Sequence, residues 1–367
     1  MERFFGYRKI MLYASGTAAL AQAMAQCALR TATRNPEVII PAYGCPDLVA
    51  ACMHASVFPR LVDLAPSCWS YDLEALKTSL SPNTTAIVAV NLLGLGDGAA
   101  ELRHLSKDRN IPLIQDSAQY LPREQSDWIG DHIVLSFGRG KPLNLLHGGA
   151  LVLPSGEAPP TSVQPALYTM RERLLSSAAA AAGFNTLTRP ALYRIFSSLP
   201  GTGLGDVTYK PLGNPAPLPE RAWGRVATAF ELYLQKPSYR RDIWTAALEE
   251  WSSLGIVVLH SPGSSLQAEP LRLPLLAPNR AARDTLVDNL TRAGLGASRF
   301  YGCDLTAVAG IPEIVKCQGP FPNASELADR LFTLPTHELV DADTVSTARG
   351  LVLAWCRANE GVRIRAP

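Results

Sequence analysis

The 367-residue chain is 47% hydrophobic and carries a formal net charge of +2, so it is long enough for two domains with a substantial core and lacks the charge excess of a nucleic-acid binder. Its seven cysteines are odd in number and include no Cys-x-x-Cys pair, which argues against a disulfide framework or a zinc site and for reduced thiols in the cytoplasm. Residues 1–8 lack signal-peptide architecture, and no window reaches the roughly 18 uninterrupted apolar residues of a membrane span.

In chain order, small apolar residues at helical spacing predict a helix over 17–30, followed by a strand at 37–40 that ends on Pro41. A helix over 47–56, a strand at 60–63, a helix over 73–80 and a buried strand at 86–90 come next. The series closes with a helix over 99–109 and strands at 112–115, 133–136 and 150–153. Strands alternating with helices imply a mostly parallel sheet covered on both faces, an α/β architecture. Composition then shifts. Residues 155–165 read as a loop, 166–200 as a helical insertion broken near 185–190, and 201–219 as an irregular Gly- and Pro-rich stretch. Helices are expected over 221–236, 238–251, 281–293, 324–331 and 343–357, with a strand at 271–275. This divides the chain into a large domain over 1–235 and a smaller C-terminal α+β domain over 236–367.

Three segments carry chemistry. Ser15-Gly16-Thr17-Ala18 places hydroxyls on both sides of a glycine just before a helix, where free N–H groups and the helix dipole favour an anion; an ordinary N-cap by Ser15 or Thr17 is the competing reading. Asp116 ends an apolar strand, and ligands of open α/β sheets bind outside the carboxyl ends of strands. A carboxylate there can keep the ring nitrogen of pyridoxal 5′-phosphate (PLP) protonated, with Gln119 three residues on positioned for the ring hydroxyl; a simple turn cap is the alternative. Lys141 lies in a Gly-rich turn five residues after Ser136. It can hold the aldehyde as a Schiff base and, once released, act as general base, while Ser136 offers its hydroxyl to the phosphate.

Ser15-Gly16-Thr17-Ala18-Ala19-Leu20, the strand and loop through Pro41-Ala42-Tyr43, Asp116-Ser117-Ala118-Gln119, Ser136-Phe137 with Lys141 and Gly148-Gly149, and the later Phe321-Pro322-Asn323-Ala324 and Leu334-Pro335-Thr336-His337 resemble, in order and spacing, the DegT/DnrJ/EryC1/StrS family of PLP-dependent aminotransferases. The resemblance implies the fold-type-I architecture, with a large, mostly parallel, seven-stranded-type sheet domain and a small α+β domain. It implies PLP as cofactor, Lys141 and Asp116 as catalytic residues, and Gly16, Thr17, Ala18, Gln119 and Ser136 around the cofactor. It also implies a homodimer whose active sites are shared, with Asn214 reaching the partner's phosphate. The aromatic residue that the family sets over the ring corresponds to Cys45, which leaves Tyr43 as the nearby aromatic candidate. Arg299 and Tyr301 correspond to positions near the substrate mouth. Only 14 residues precede the Ser15 turn, fewer than is usual in the family, so an unusual acceptor is one expectation.

The expected activity is transfer of an amino group from glutamate or glutamine to a ketone, foremost a nucleotide-linked keto-sugar. A non-sugar or lipid-linked ketone is the alternative acceptor, and a non-catalytic PLP-binding protein the alternative class. No metal and no nucleic acid is expected.

Overall fold

The computed structural model describes residues 1–6, 8–31, 33–94, 99–121, 128–157, 207–213, 218, 222–235, 242–259 and 271–359. The helical insertion expected at 166–200 and the candidate Asn214 lie outside the described residues, and the expected domain boundary at 235 and 236 falls at their edge.

A seven-stranded sheet runs in the order β1-β7-β6-β5-β4-β2-β3. Its strands are β1 (Ile10–Tyr13), β2 (Glu37–Pro41), β3 (Phe58–Val62), β4 (Thr84–Val90), β5 (Leu113–Asp116), β6 (His132–Ser136) and β7 (Gly149–Val152). From β3 to β6 every neighbouring pair is parallel. Strand β7 runs antiparallel to both β6 and β1. The first strand and its antiparallel pairing were not predicted, because four residues after an aromatic and basic N-terminus show no resolvable period.

Every residue of β4 is buried, which requires cover on both faces. Val88, Val90, Ile114 and Val134 pack with α1 (Gly16–Arg30) and α2 (Asp47–His54) on one face. Ile39, Ile87, Ala89 and Leu113 pack on the other with Leu76 of α3 (Leu73–Ser79) and Leu102 of α4 (Ala99–Asp108). At the β1 end, α5 (Ala222–Gln235) adds Val226 and Phe230 to a core with Ile10, Leu12, Ile133 and Val152. The N-terminal residues join this outer core: Phe4 stacks edge-on with Phe230 at 5.0 Å, and Phe5 with Trp128 at 4.7 Å.

A second sheet, order β10-β9-β8, is antiparallel throughout. It comprises β8 (Val257–Val258), β9 (Arg272–Leu276) and β10 (Leu331–Pro335) and packs with α6 (Thr245–Ser252), α7 (Arg280–Arg292) and α10 (Ala342–Ala358) around Trp244, Trp251, Leu273, Leu286 and Phe332. The expected helix over 324–331 runs onto the first residue of strand β10, because Leu331 follows helical residues without a break, and the rest of β10 was not predicted.

Two devices join this sheet to the first. Asp63, just past β3, accepts hydrogen bonds from the N–H groups of Asn323 (3.1 Å) and Ala324 (2.8 Å). It thereby caps α9 (Pro322–Arg330), whose own N-cap residue, Phe321, makes no side-chain cap bond. Gln318, just after the single turn α8 (Glu313–Lys316), accepts from Leu61 N–H (3.0 Å) and donates to the Pro59 carbonyl (2.7 Å). It occupies free backbone groups of the edge strand β3, which would otherwise be open to pairing.

Candidate active site

The carboxyl ends of β4, β5 and β6 open onto one cleft, the place where open α/β sheets receive ligands. Gly16, Thr17, Cys45, Asp116, Gln119, Ser136, Lys141 and Tyr301 all line it, so residues up to 285 positions apart in sequence meet there.

The start of α1 is built for close approach. Ser15 is the N-cap, and its Oγ accepts from Ala18 N–H at 3.1 Å. The N–H groups of Gly16 and Thr17 begin the helix at the positive end of its dipole. The capping reading and the anion-site geometry are therefore compatible: the cap uses the N–H of Ala18, one turn into the helix. A Cβ on Gly16 would sit 2.7 Å from Ser136 Cβ, and one on Gly149 would sit 2.5 Å from Gly16 N. Only glycine at both positions lets the helix start, β6 and β7 converge. Ala18 is buried behind this start, with its N–H committed to Ser15.

Asp116 closes β5. Its Oδ1 accepts from Ala118 N–H at 3.0 Å, and the residue is 8% exposed. Burial pushes the carboxyl up from the ordinary carboxylate range, against the pull of the Ala118 N–H and of Lys141. A cation received on the cavity side of this group would relieve that penalty. Lys141 follows a turn through Gly140, whose φ of +68° falls in the left-handed region. The Ser136 hydroxyl lies beside the Gly16 backbone.

The opposite wall comes from the C-terminal region. Tyr301 enters the cavity after Phe300, whose φ of +59° is an uncommon conformation for an aromatic residue. Gln119 fixes the Tyr301 side chain: its Nε2 donates to the phenol oxygen at 2.8 Å and its Oε1 accepts from Leu93 N–H at 3.0 Å. Gln119 thus braces two elements as well as facing the cavity. Cys45 lines the cavity beside Tyr301, and burial pushes its thiol up to about 12.

Tyr43 is fully buried and does not line the cavity. Its ring packs edge-on behind Tyr301 at 5.5 Å and against Trp69 at 5.9 Å. The aromatic surface that the sequence assigned to Tyr43 is presented by Tyr301. Arg299 is also not among the lining residues. Its guanidinium is engaged by Asp284 (2.8 Å) and Asp288 (2.6 Å) of α7, which turns it along that helix. Asp47 and Asn91 line the cavity as well, and sequence reasoning passed over both. Asn91 had a legible signal, a polar residue directly after an apolar strand. Asp47 read only as the acidic start of a helix.

A doubly covered, mostly parallel sheet with a lysine, a strand-end carboxyl and a glycine-cradled helix start at its carboxyl edge defines the class: an α/β protein with a candidate small-molecule site at that edge. Residues 1–172 match the model of the DegT/DnrJ/EryC1/StrS aminotransferase family. Among characterised relatives, it is 33% identical over 125 residues to 3-amino-5-hydroxybenzoate synthase of Amycolatopsis mediterranei, covering 33% of this chain and 32% of the relative. It is 30% identical over 148 residues to L-glutamine:2-deoxy-scyllo-inosose aminotransferase of Streptoalloteichus tenebrarius, covering 39% and 34%. The matched stretch thus spans about a third of those relatives. The fold continues further: the structure of NtdA from Bacillus subtilis with bound pyridoxamine phosphate (PMP) superposes with a TM-score of 0.68 at 17% identity, covering 96% of this chain and 75% of the other.

Proposed function

We propose that this chain is a PLP-dependent aminotransferase that takes an amino group from glutamate or glutamine and delivers it to a ketone, foremost on a nucleotide-linked keto-sugar. The observation that carries this reading is the convergence of Lys141, Asp116, Ser136 and the Gly16-Thr17 start of α1 on one cavity.

The residues present fit the cofactor. The α1 start at Gly16 and Thr17 and the Ser136 hydroxyl would hold the phosphate, in a space that only glycine at position 16 leaves. Asp116, with its charge penalised by burial, is suited to face a protonated ring nitrogen. Tyr301 and Cys45 supply the flanking surface, and Gln119 a polar edge. PLP, when bound, supplies an aldehyde for the amine and a ring that draws electrons from the neighbouring carbon. Lys141 would hold the cofactor at that aldehyde, and its amine, when free, would be the base that moves the proton at the substrate carbon. Asp116 would keep the ring nitrogen charged.

Support for the donor and acceptor classes comes from the relatives, one named for L-glutamine and an inosose and the other for an aminobenzoate. Neither name carries a nucleotide, which favours a carbocyclic ketone as the second reading of the acceptor. A cytoplasmic homodimer that shares its sites is part of the proposal; no helix among the described residues is long and apolar enough to cross a membrane.

The test is the absorbance spectrum of the PLP-loaded protein before and after L-glutamate or L-glutamine. Loss of the visible band and growth of a PMP band near the ultraviolet, absent in Lys141→Ala, is the expected result. A band indifferent to both donors overturns the donor assignment. A panel of nucleotide-linked keto-sugars and free carbocyclic ketones then separates the two acceptor readings.

A further inference from the structure

Asp47 opens α2 at the rim of the cavity, beside the residues assigned to the cofactor. Its Oδ2 accepts the hydroxyl proton of Thr17 at 2.9 Å, bridging the starts of α1 and α2. Both residues line the cavity, and Asp47 is exposed. Its charge reaches across the site, since it raises the Cys45 thiol and the Asp116 carboxyl. Among the described lining residues, Lys141 is the one cation set against the carboxylates of Asp47 and Asp116. A carboxylate is therefore held next to the α1 start, where the helix dipole favours an anion.

We propose that Asp47 opposes the phosphate end of the cofactor: it occupies the Thr17 hydroxyl as acceptor and sets a like charge beside the α1 start, so that it limits how tightly the chain holds a phosphate-bearing cofactor. This rests on the reading that the α1 start receives the phosphate. A Thr hydroxyl has a single proton; while Asp47 holds it, Thr17 contributes its N–H and not its side chain to an anion. Asp47→Ala frees that proton and removes a repulsion, whereas Asp47→Asn removes the repulsion and keeps an amide oxygen able to accept the hydroxyl. A simpler role for Asp47 also exists, as an acidic residue in the first turn of an eight-residue helix whose N-cap, Pro46, makes no side-chain cap bond. That role predicts a loss of stability on substitution and no preference between ligands with and without phosphate.

The experiment titrates cofactor-free wild type, Asp47→Asn and Asp47→Ala with PLP and with pyridoxal, which lacks the phosphate, by absorbance. Both variants are expected to bind PLP roughly three- to tenfold more tightly than wild type, the scale of one exposed like charge beside a dianion in a water-like dielectric. Pyridoxal affinity stays unchanged, and the gain shrinks at high salt. An unchanged or weakened PLP affinity, or an equal gain for pyridoxal, overturns the proposal. If Asp47→Ala loses its thermal unfolding transition, the near-isosteric Asp47→Asn decides. A wild type that holds PLP no better than pyridoxal overturns the phosphate assignment of the α1 start, and the role of Asp47 falls with it. PLP preference in the wild type with no change in the variants sinks the Asp47 role alone.

Discussion

Gly16, Asp116 and Ser136 reach the cavity from strand ends and a helix start whose backbone is locked into the seven-stranded sheet, whereas Tyr301 reaches it from a turn that carries Phe300 at positive φ and belongs to the C-terminal region. The first wall is held by ladder hydrogen bonds and by glycine contacts too tight for any other residue. The second, a turn tied at its ends to β10 through Ser298 and to Ala42 through Leu305, sets the Tyr301 side chain by one phenol–amide hydrogen bond and aromatic packing on Tyr43. Groups that must be placed to a fraction of an ångström sit on the rigid wall. The adjustable wall is where substrate choice can vary without disturbing the chemistry.

Substitutions on the two walls should therefore differ in kind. Lys141→Ala should lower turnover at least about 1000-fold, the loss expected when nucleophile and general base vanish together, with the unfolding temperature nearly unchanged; measurable turnover within tenfold of wild type breaks the assignment. Gly149→Ala should be the most damaging of the small changes. Its Cβ meets the Gly16 nitrogen and the Ser15 carbonyl, so the helix start must move, at a cost of about 1–3 kcal/mol, read by thermal unfolding and by lost PLP affinity.

Asp116 predicts a pH effect in the cofactor-free protein. Its folded pKa lies above the unfolded value, so the folded state binds the extra proton and stability falls as pH rises from the ordinary carboxylate range through the raised value. Asp116→Asn should flatten that dependence and raise the unfolding temperature of the cofactor-free protein while lowering turnover roughly 100-fold. Unaltered pH dependence in the variant contradicts the burial argument. On the second wall, Tyr301→Phe removes one neutral hydrogen bond, a loss of about 1 kcal/mol, and should alter KM more than kcat. Smallest of all, Arg299→Ala breaks two half-exposed ion pairs and should cost less than about 1 kcal/mol, with KM for the donor unchanged. A large KM rise would return Arg299 to the substrate.

Much of the rigid wall was legible in the residues alone. An apolar run that ends on Asp116 and a Ser-Gly-Thr turn before a helix are local patterns, and the strand-end rule places both at one sheet edge. Lys141 was legible only from the spacing of the whole set. The partners of the second wall were not. Tyr43 and Tyr301 are both aromatic residues in turn-rich segments, and nothing local says which one faces the cavity; the packing of Tyr43 between Trp69 and Tyr301 decides it. Arg299 illustrates the same limit. A lone arginine near a predicted mouth looked like a substrate ligand until Asp284 and Asp288, 15 and 11 residues upstream, were found on its guanidinium. The strands β1, β8 and β10 escaped: β8 is only two residues long, and the antiparallel partners of β1 and β10 lie far away in sequence.

By itself the sequence determined the alternation of strands and helices, the parallel core of the sheet, and the residue types at the chemical edge, because hydrophobic period and strand-end chemistry are local properties. Only the tertiary structure decided the antiparallel return of β7, the capping of α9 by Asp63, the choice of Tyr301 over Tyr43 and the bond from Thr17 to Asp47. Each of these depends on which distant segments share a few ångströms, and that is set by the burial of whole elements against one another rather than by any residue's neighbours in sequence.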